Sequence, residues 1–370
     1  MLGSAAMRRL GFLAMLALGC GSPAKRSSLV LAPGEPVTVS AEHARVEPTA
    51  TPALARSARR MLVTWAAQRG DDELGDHIVA RALSFAGARL GEPAELGRGY
   101  APDVAASPVG YVVAWRPTHE TNASFAFANV DDDAKLASPP VLAGEVATDG
   151  APAMTAARGG ITAACAHGDP DVIVVRHPSR TTNAERIPIR SGCGDVQVTS
   201  VKDAAFAAVA TDGFRRTEII ALADPAAVSK VRLEGQCDVV PDRDKLVFVC
   251  LDEPDGRVAY LRAETGEAKR VSIDFGGRVH KLRSVGLDAG ILLVWTTETP
   301  DGFALRASVV APDGSARSPV VEISPTPAVP RFDLEGASKE AWIVYVTERQ
   351  VEPTRYRHDV VVIPLRVTGT

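Results

Sequence analysis

Met61-Leu62-Val63-Thr64-Trp65 is a five-residue apolar run that ends on an aromatic side chain, and runs of the same kind return six more times. They lie at Tyr111–Trp115, Ile161–Cys165, Ala205–Val209, Leu246–Cys250, Ile291–Trp295 and Trp342–Val346, and their last residues are 50, 50, 44, 41, 45 and 51 positions apart. Short apolar runs rich in β-branched and aromatic residues read as buried strands rather than helices. A period of this size, with room for several short strands per unit, is the mark of a β-propeller, in which small sheets repeat radially. Each unit can bury its faces only against its neighbours. Seven units therefore predict one closed all-β ring of four-stranded antiparallel blades, where length alone would suggest two domains.

Fourteen residues align without gaps around each run, in windows that begin at Pro52, Pro102, Pro152, Val196, Cys237, Leu282 and Asp333. Each window reads as an innermost strand, a two-residue turn and a second strand. The turns fall at Ala58-Arg59, Pro108-Val109, Arg158-Gly159, Lys202-Asp203, Arg243-Asp244, Asp288-Ala289 and Lys339-Glu340. The last column holds Trp65, Trp115, Cys165, Val209, Cys250, Trp295 and Val346, whose large members are expected to pack between blades. This register sets the first residue of each window opposite the last. In the fifth unit those residues are Cys237 and Cys250, close enough across a strand pair to bridge.

The N-terminus stands outside the repeats. Met7-Arg8-Arg9 is a basic start, Leu10–Leu18 is an apolar stretch too short to span a bilayer, and Leu16-Ala17-Leu18-Gly19-Cys20 follows. A small residue just before a cysteine at this place resembles the lipobox of bacterial lipoproteins, although Ala17 stands where the strictest pattern has Leu. The resemblance implies cleavage before Cys20 and acylation of that residue, with residues 1–19 as signal peptide, 20–28 as a polar tether and 29–370 as the propeller. Acyl chains would hold the protein on a membrane, at the outer membrane or facing the periplasm. Cleavage removes Arg8 and Arg9 and takes the net charge from −4 to −6, which speaks against a nucleic-acid partner. Of the five cysteines, Cys20 goes to lipid and four remain. In an oxidising compartment two disulfides are expected, Cys237 with Cys250 and Cys165 with Cys193, the latter at one rim of adjacent units.

A third strand follows each window, as at His77–Leu83 and Ala304–Val310, and a fourth follows a turn, as at Pro93–Leu96 and Pro319–Ile323. The seventh unit has no fourth strand of its own. Gly34-Glu35-Pro36-Val37-Thr38-Val39 mirrors Gly91-Glu92-Pro93-Ala94-Glu95-Leu96, so Pro36–Ser40 is placed as the outer strand of the last blade, sealing the ring. Met61–Trp65, Asp76-His77-Ile78-Val79-Ala80-Arg81, Gly87 and Gly91-Glu92-Pro93 together resemble the propeller repeats of secreted and lipid-anchored proteins of delta-type proteobacteria. Those repeats run roughly LVVW, a polar loop, DIYARRV, DG and a closing strand. Leu292–Trp295 and Pro312-Asp313-Gly314 keep parts of the pattern. The resemblance implies the fold and no particular activity.

Loops between second and third strands vary from unit to unit, and variable loops on a rigid scaffold are where binding is usually found. Residues 67–76, 116–122, 167–170, 211–215, 252–256, 297–302 and 348–357 hold fourteen Asp or Glu against six Arg. The face they share is expected to be acidic and to favour cations or basic partners, with Asp71, Asp72, Glu73, Asp169, Asp212, Asp252, Glu253, Asp255 and Asp301 as its candidate contacts. Catalytic signatures are poor: there is no HExxH, GxSxG or phosphate-binding glycine loop. His167-Gly168-Asp169-Pro170-Asp171 and Asp131-Asp132-Asp133 read as tight turns rather than metal sites. Asp212-Gly213, Asp255-Gly256 and Asp301-Gly302 are turn pairs that lack the Ser/Thr and Trp surroundings of a sialidase Asp-box. The sequence thus points to a monomeric, non-catalytic binding or scaffolding propeller without cofactor. Its expected partners are the membrane and an envelope protein, basic peptide or glycan. The alternative is a propeller enzyme acting on glycan, with acids near innermost-strand starts (Asp103, Asp195, Asp238) converging on the central pore.

Overall fold

The computed structural model describes residues 29–369 apart from 41–44, 48–50, 69–76, 119–122, 146, 156, 158–159, 177–183, 190–191, 203, 223–229, 243–244, 253–255, 264–266 and 354. The described residues form seven antiparallel sheets and no α-helix. Blade 1 is Ala53–Arg56, Met61–Gln68, His77–Leu83 and Arg89–Arg98, with Arg45–Val46 adding a short pairing to Gln68 and Ala67. Blades 2 to 6 follow in chain order, with innermost strands Tyr100–Ser107, Thr148–Thr155, Cys193–Val201, Cys237–Asp242 and Val279–Leu287. Blade 7 is Phe332–Ala337, Glu340–Glu352 and Arg355–Thr368, completed by the N-terminal segment.

The apolar runs are continuous rather than alternating because both faces of every blade are covered. Seven hydrophobic clusters lie between adjacent blades, one for each neighbouring pair. In blade 1, Leu62 faces blade 2 beside Tyr111 and Trp115, whereas Met61, Val63 and Trp65 face blade 7 beside Trp342, Val344 and Val360. The contact between blades 7 and 1 closes the ring. Trp115, Trp295 and Trp342 are buried and donate their indole N–H to the carbonyls of Arg98, Phe275 and Phe85, at 2.9, 3.0 and 3.1 Å.

The register follows the expected one in five units. Val196 faces Val209, Cys237 faces Cys250 and Leu282 faces Trp295; the last pairs are Ser107 with Gly110, Val201 with Ala204, Asp242 with Lys245 and Leu287 with Gly290, each enclosing two residues, and blade 1 turns around Ala58-Arg59. Two units differ. In blade 3 the last pair is Thr155 with Ile161, five residues of sequence lying between them where the expected register has two, and a bulge between Asp149 and Ala153 shifts the rest. In blade 7 Ala337 pairs with Glu340, so the turn is Ser338-Lys339, one residue earlier than expected. Ser338 takes the left-handed conformation there (φ 55°), which the first position of a tight hairpin turn requires. The shift puts Tyr345, rather than Val346, in the aromatic column, and its hydroxyl donates to Pro325 O at 2.5 Å.

Both expected disulfides are present, Cys237–Cys250 within blade 5 and Cys165–Cys193 between blades 3 and 4. The closing strand is also present and longer than Pro36–Ser40. Val30–Pro33 pairs with Leu365–Thr368, and Val37 and Thr38 pair with Val362 and Val361. Gly34 sits between the two pieces, against Pro364, where a Cβ would lie 2.8 Å from the proline ring; only glycine lets the backbone approach so closely.

Candidate functional site in the central channel

The innermost strands surround a channel with a cavity of about 540 Å³. Once the turns are aligned by structure, the fifth residue before each turn forms one layer around it: Ala53, Asp103, Gln197, Asp238, Arg283 and Asp333 from blades 1, 2, 4, 5, 6 and 7. Three of these positions carry aspartate, and each aspartate accepts a backbone N–H from the next innermost strand around the ring. Asp103 Oδ2 takes Met154 N at 2.7 Å, Asp333 Oδ2 takes Leu54 N at 2.9 Å, and Asp238 Oδ2 takes Ser284 N and the Ser284 hydroxyl, the latter at 2.5 Å. The carboxylates therefore bridge blade 2 to 3, blade 5 to 6 and blade 7 to 1. An innermost strand has one edge without a sheet neighbour, and its N–H groups there need partners.

Arg283 of blade 6 ties the layer to both neighbouring blades. Its guanidinium lies 3.6 Å from Asp238 and 3.2 Å from Asp333, and with its amide nitrogen turned toward Asp238 the Gln197 side chain accepts from the same guanidinium at 3.3 Å. The Asp238 and Asp333 side chains are only 5% and 14% exposed, so neither is a solvent-screened surface charge. Burial opposes the charge on Arg283, but Asp238, Asp333 and Asp103 more than offset it and hold the guanidinium above its ordinary value. Nearer the channel mouth, Lys281 of blade 6 reaches Asp195 of blade 4 at 3.6 Å.

Two carboxyls respond in the opposite sense. Burial, and then the neighbouring Asp333 charge, pushes Asp103 up to about 7, against two backbone N–H donors and Arg283. Burial and Asp333 likewise push Glu335 up to about 8, with Arg56 opposing. Both can hold a proton near neutrality, as a general acid must.

Of the sequence candidates, Asp103, Asp195 and Asp238 do converge on the channel. Asp333, Glu335, Arg283 and Lys281 join them and were not singled out from the sequence. The misplaced turn of blade 7 hid the equivalence of Asp333 with Asp103 and Asp238. The four loop acids among the described residues are not brought together. Asp169 is paired with Arg186 at 3.1 Å, Asp212 is a left-handed turn residue (φ 53°), Asp252 closes its own loop through Gly256 N and Val258 O, and Asp301 is exposed. No ion pair or hydrogen bond joins one of these four to another among the described residues. Asp71, Asp72, Glu73, Glu253, Asp255 and Cys20 lie outside the described residues. His167 bonds Asp149 at 2.7 Å, and Asp132 bonds Ser57 of blade 1 at 3.0 Å, with Asp131 capping its own turn.

The chain is similar in fold to WD40-type propellers. The WD40 domain of Toxoplasma gondii coronin superposes with a TM-score of 0.52 at 14% identity, over 92% of this chain and 86% of that one. The β-propeller domain of Myceliophteria thermophila Cps50 (Swd1) gives 0.52 at 12% identity, over 90% and 100%. At these identities the likeness establishes a β-propeller and nothing finer. No protein-family model matches the sequence, and no curated protein is similar to it.

Proposed function

We propose that this protein is a binding or scaffolding propeller, held at a bacterial cell envelope by acyl chains on Cys20, that takes a basic partner on its acidic loop face. The observation that carries the non-catalytic reading is the use made of the channel aspartates. Asp103, Asp238 and Asp333 each have one carboxylate oxygen occupied by the backbone of the next blade and the other by Arg283 or a local N–H. Carboxylates committed in this way join blades; they are not free to attack or to position water. The experiment has two arms. Labelling of cells with an alkyne fatty acid should mark the wild-type chain and leave Cys20→Ala unmarked. Pull-down from native envelope through a tagged, anchored copy should recover a basic protein or peptide that a copy with neutralised loop acids fails to recover. A chain that recovers no partner and releases sugar from envelope glycan would overturn the reading.

The raised carboxyls of Asp103 and Glu335 favour one second reading, a channel that protonates a glycan leaving group. It requires glycan cleavage by the wild type that Glu335→Gln abolishes.

A further inference from the structure

The ring has two unlike faces, and the way it closes fixes which of them the anchor reaches. One face carries the turns between innermost and second strands; the other carries the loops between second and third strands. The third strand of blade 7, Arg355–Thr368, runs from the loop face to the turn face, where Val367 N bonds Lys339 O of the turn. The closing segment runs the other way. Val30 is opposite Thr368, while at the far end the Ser40 hydroxyl meets Asp359. Leu29 N donates to Arg317 O at 2.9 Å, and Arg317 in turn donates to Ala289 O in the turn of blade 6 at 2.7 Å. Leu29 is buried, so the chain is fixed at this point.

The chain therefore enters the fold at the turn face. We infer that the lipid anchor holds the propeller with its turn face against the bilayer and its loop face outward, open to partners. This rests on the acylation of Cys20 proposed above. Nine residue steps separate Cys20 from Leu29, which reach at most about 30 Å even when fully extended. Residues 30–40 alone use about 33 Å in crossing the ring from one face to the other, at roughly 3.3 Å per residue. Bringing the loop face to the membrane would need the whole tether stretched back along the blade it has just left.

Charge acts in the same direction. Among the described residues the turns between strands on the turn face place exposed Arg59, Lys135, Lys202, Lys245, Arg317 and Lys339 beside Asp131, Asp132, Asp133, Asp242, Asp288 and Asp313, so neither sign dominates. The loop segments hold fourteen acids against six Arg, so anionic headgroups repel that face and leave the other unopposed.

The test uses the full lipidated chain in phosphatidylethanolamine–phosphatidylglycerol vesicles carrying a headgroup quencher. Cys20 is acylated and the other four cysteines are in disulfides, so one added cysteine gives one labelled site. Val109→Cys places a fluorophore on the turn face at a residue 86% exposed, and Phe214→Cys places one on the loop face at 40%. Several-fold stronger quenching at position 109 than at 214 is expected. Vesicle-bound protein quenched equally at both positions, or more strongly at 214, overturns the orientation alone. A wild-type chain that fails to float with vesicles overturns the anchor and the orientation together.

Discussion

Replacing Arg283 with methionine removes the cation that joins blades 5, 6 and 7 in the channel layer while keeping much of its volume. The guanidinium is 3.6 Å from Asp238 and 3.2 Å from Asp333, and its side chain is 27% exposed. At an effective dielectric of about 20, each pair is worth on the order of 5 kcal/mol before desolvation. Removing one partner from a largely buried set typically costs about 3–5 kcal/mol, because the remaining charges stay behind. For a ring of about 340 residues the unfolding entropy is roughly 0.7 kcal/mol per degree, so the expected loss in Tm is about 4–7 °C. The loss should grow with pH. Asp103, held up to about 7 in the fold, keeps a proton that the unfolded chain releases in the ordinary carboxylate range. Ionising it therefore costs stability as pH rises from about 4 through 7, and without Arg283 that cost increases. Calorimetry of wild type and Arg283→Met at pH 5.5 and pH 8 measures both effects. Adding Asp333→Asn to Arg283→Met should recover part of the loss, a coupling that additive sites would not show. An Arg283→Met protein that melts within about 1 °C of wild type at pH 8, or suffers more at pH 5.5, would refute the account of the layer.

Asp103→Asn should flatten the decline in stability between about pH 4 and 7, read as urea midpoints across that range, because it removes the carboxyl whose ionisation the fold resists. Replacing Cys237 and Cys250 together by serine opens a loop of 14 residues; the chain-entropy model assigns such a closure about 3 kcal/mol, or about 4 °C in Tm. Leu31→Ala removes a side chain that is 4% exposed in the closing strand and should cost about 2–4 kcal/mol, with faster limited proteolysis within residues 29–40 than elsewhere.

The ring was legible in the sequence because both faces of each blade are buried, so every second strand is an uninterrupted apolar run. The disulfide of blade 5 was legible for a related reason: a two-residue turn leaves no freedom in the register, and Cys237 then faces Cys250. Blade 3 resisted because five residues separate the last pair, Thr155 with Ile161, and a bulge at Asp149–Ala153 adds residues that an ungapped alignment cannot place. In blade 7, Lys339 and Glu340 are as polar as Ser338 and Lys339, and no glycine or proline marks the turn. The closing strand was placed on the right blade but cut short, since the resemblance to residues 91–96 begins at Gly34 and says nothing of Val30–Pro33, whose pairing with Leu365–Thr368 is long-range.

The channel was harder to read for a reason of geometry rather than composition. A polar residue at an innermost strand can face water at the mouth, face the next blade, or look into the ring, and the local sequence is the same in each case. What distinguishes Asp103, Asp238 and Asp333 is that all three stand five residues before their turns, a shared position that becomes visible only after the blade 7 turn moves to Ser338-Lys339. Their common partner type follows from that position, because the backbone N–H of the next innermost strand lies at the same level in each blade pair. Asp195, two residues nearer the mouth, accepts from its own neighbour Val196 N, meets no such donor from the next blade among the described residues, and takes Lys281 of blade 6 instead. Position in the ring thus sorts the acids into interblade clamps and channel-mouth charges. The described loop acids belong to neither set: Asp169, Asp212, Asp252 and Asp301 stand on the loops of blades 3, 4, 5 and 6, one to a blade, with no ion pair or hydrogen bond joining them among the described residues, an arrangement that would suit the broad basic partner proposed above better than a small ligand.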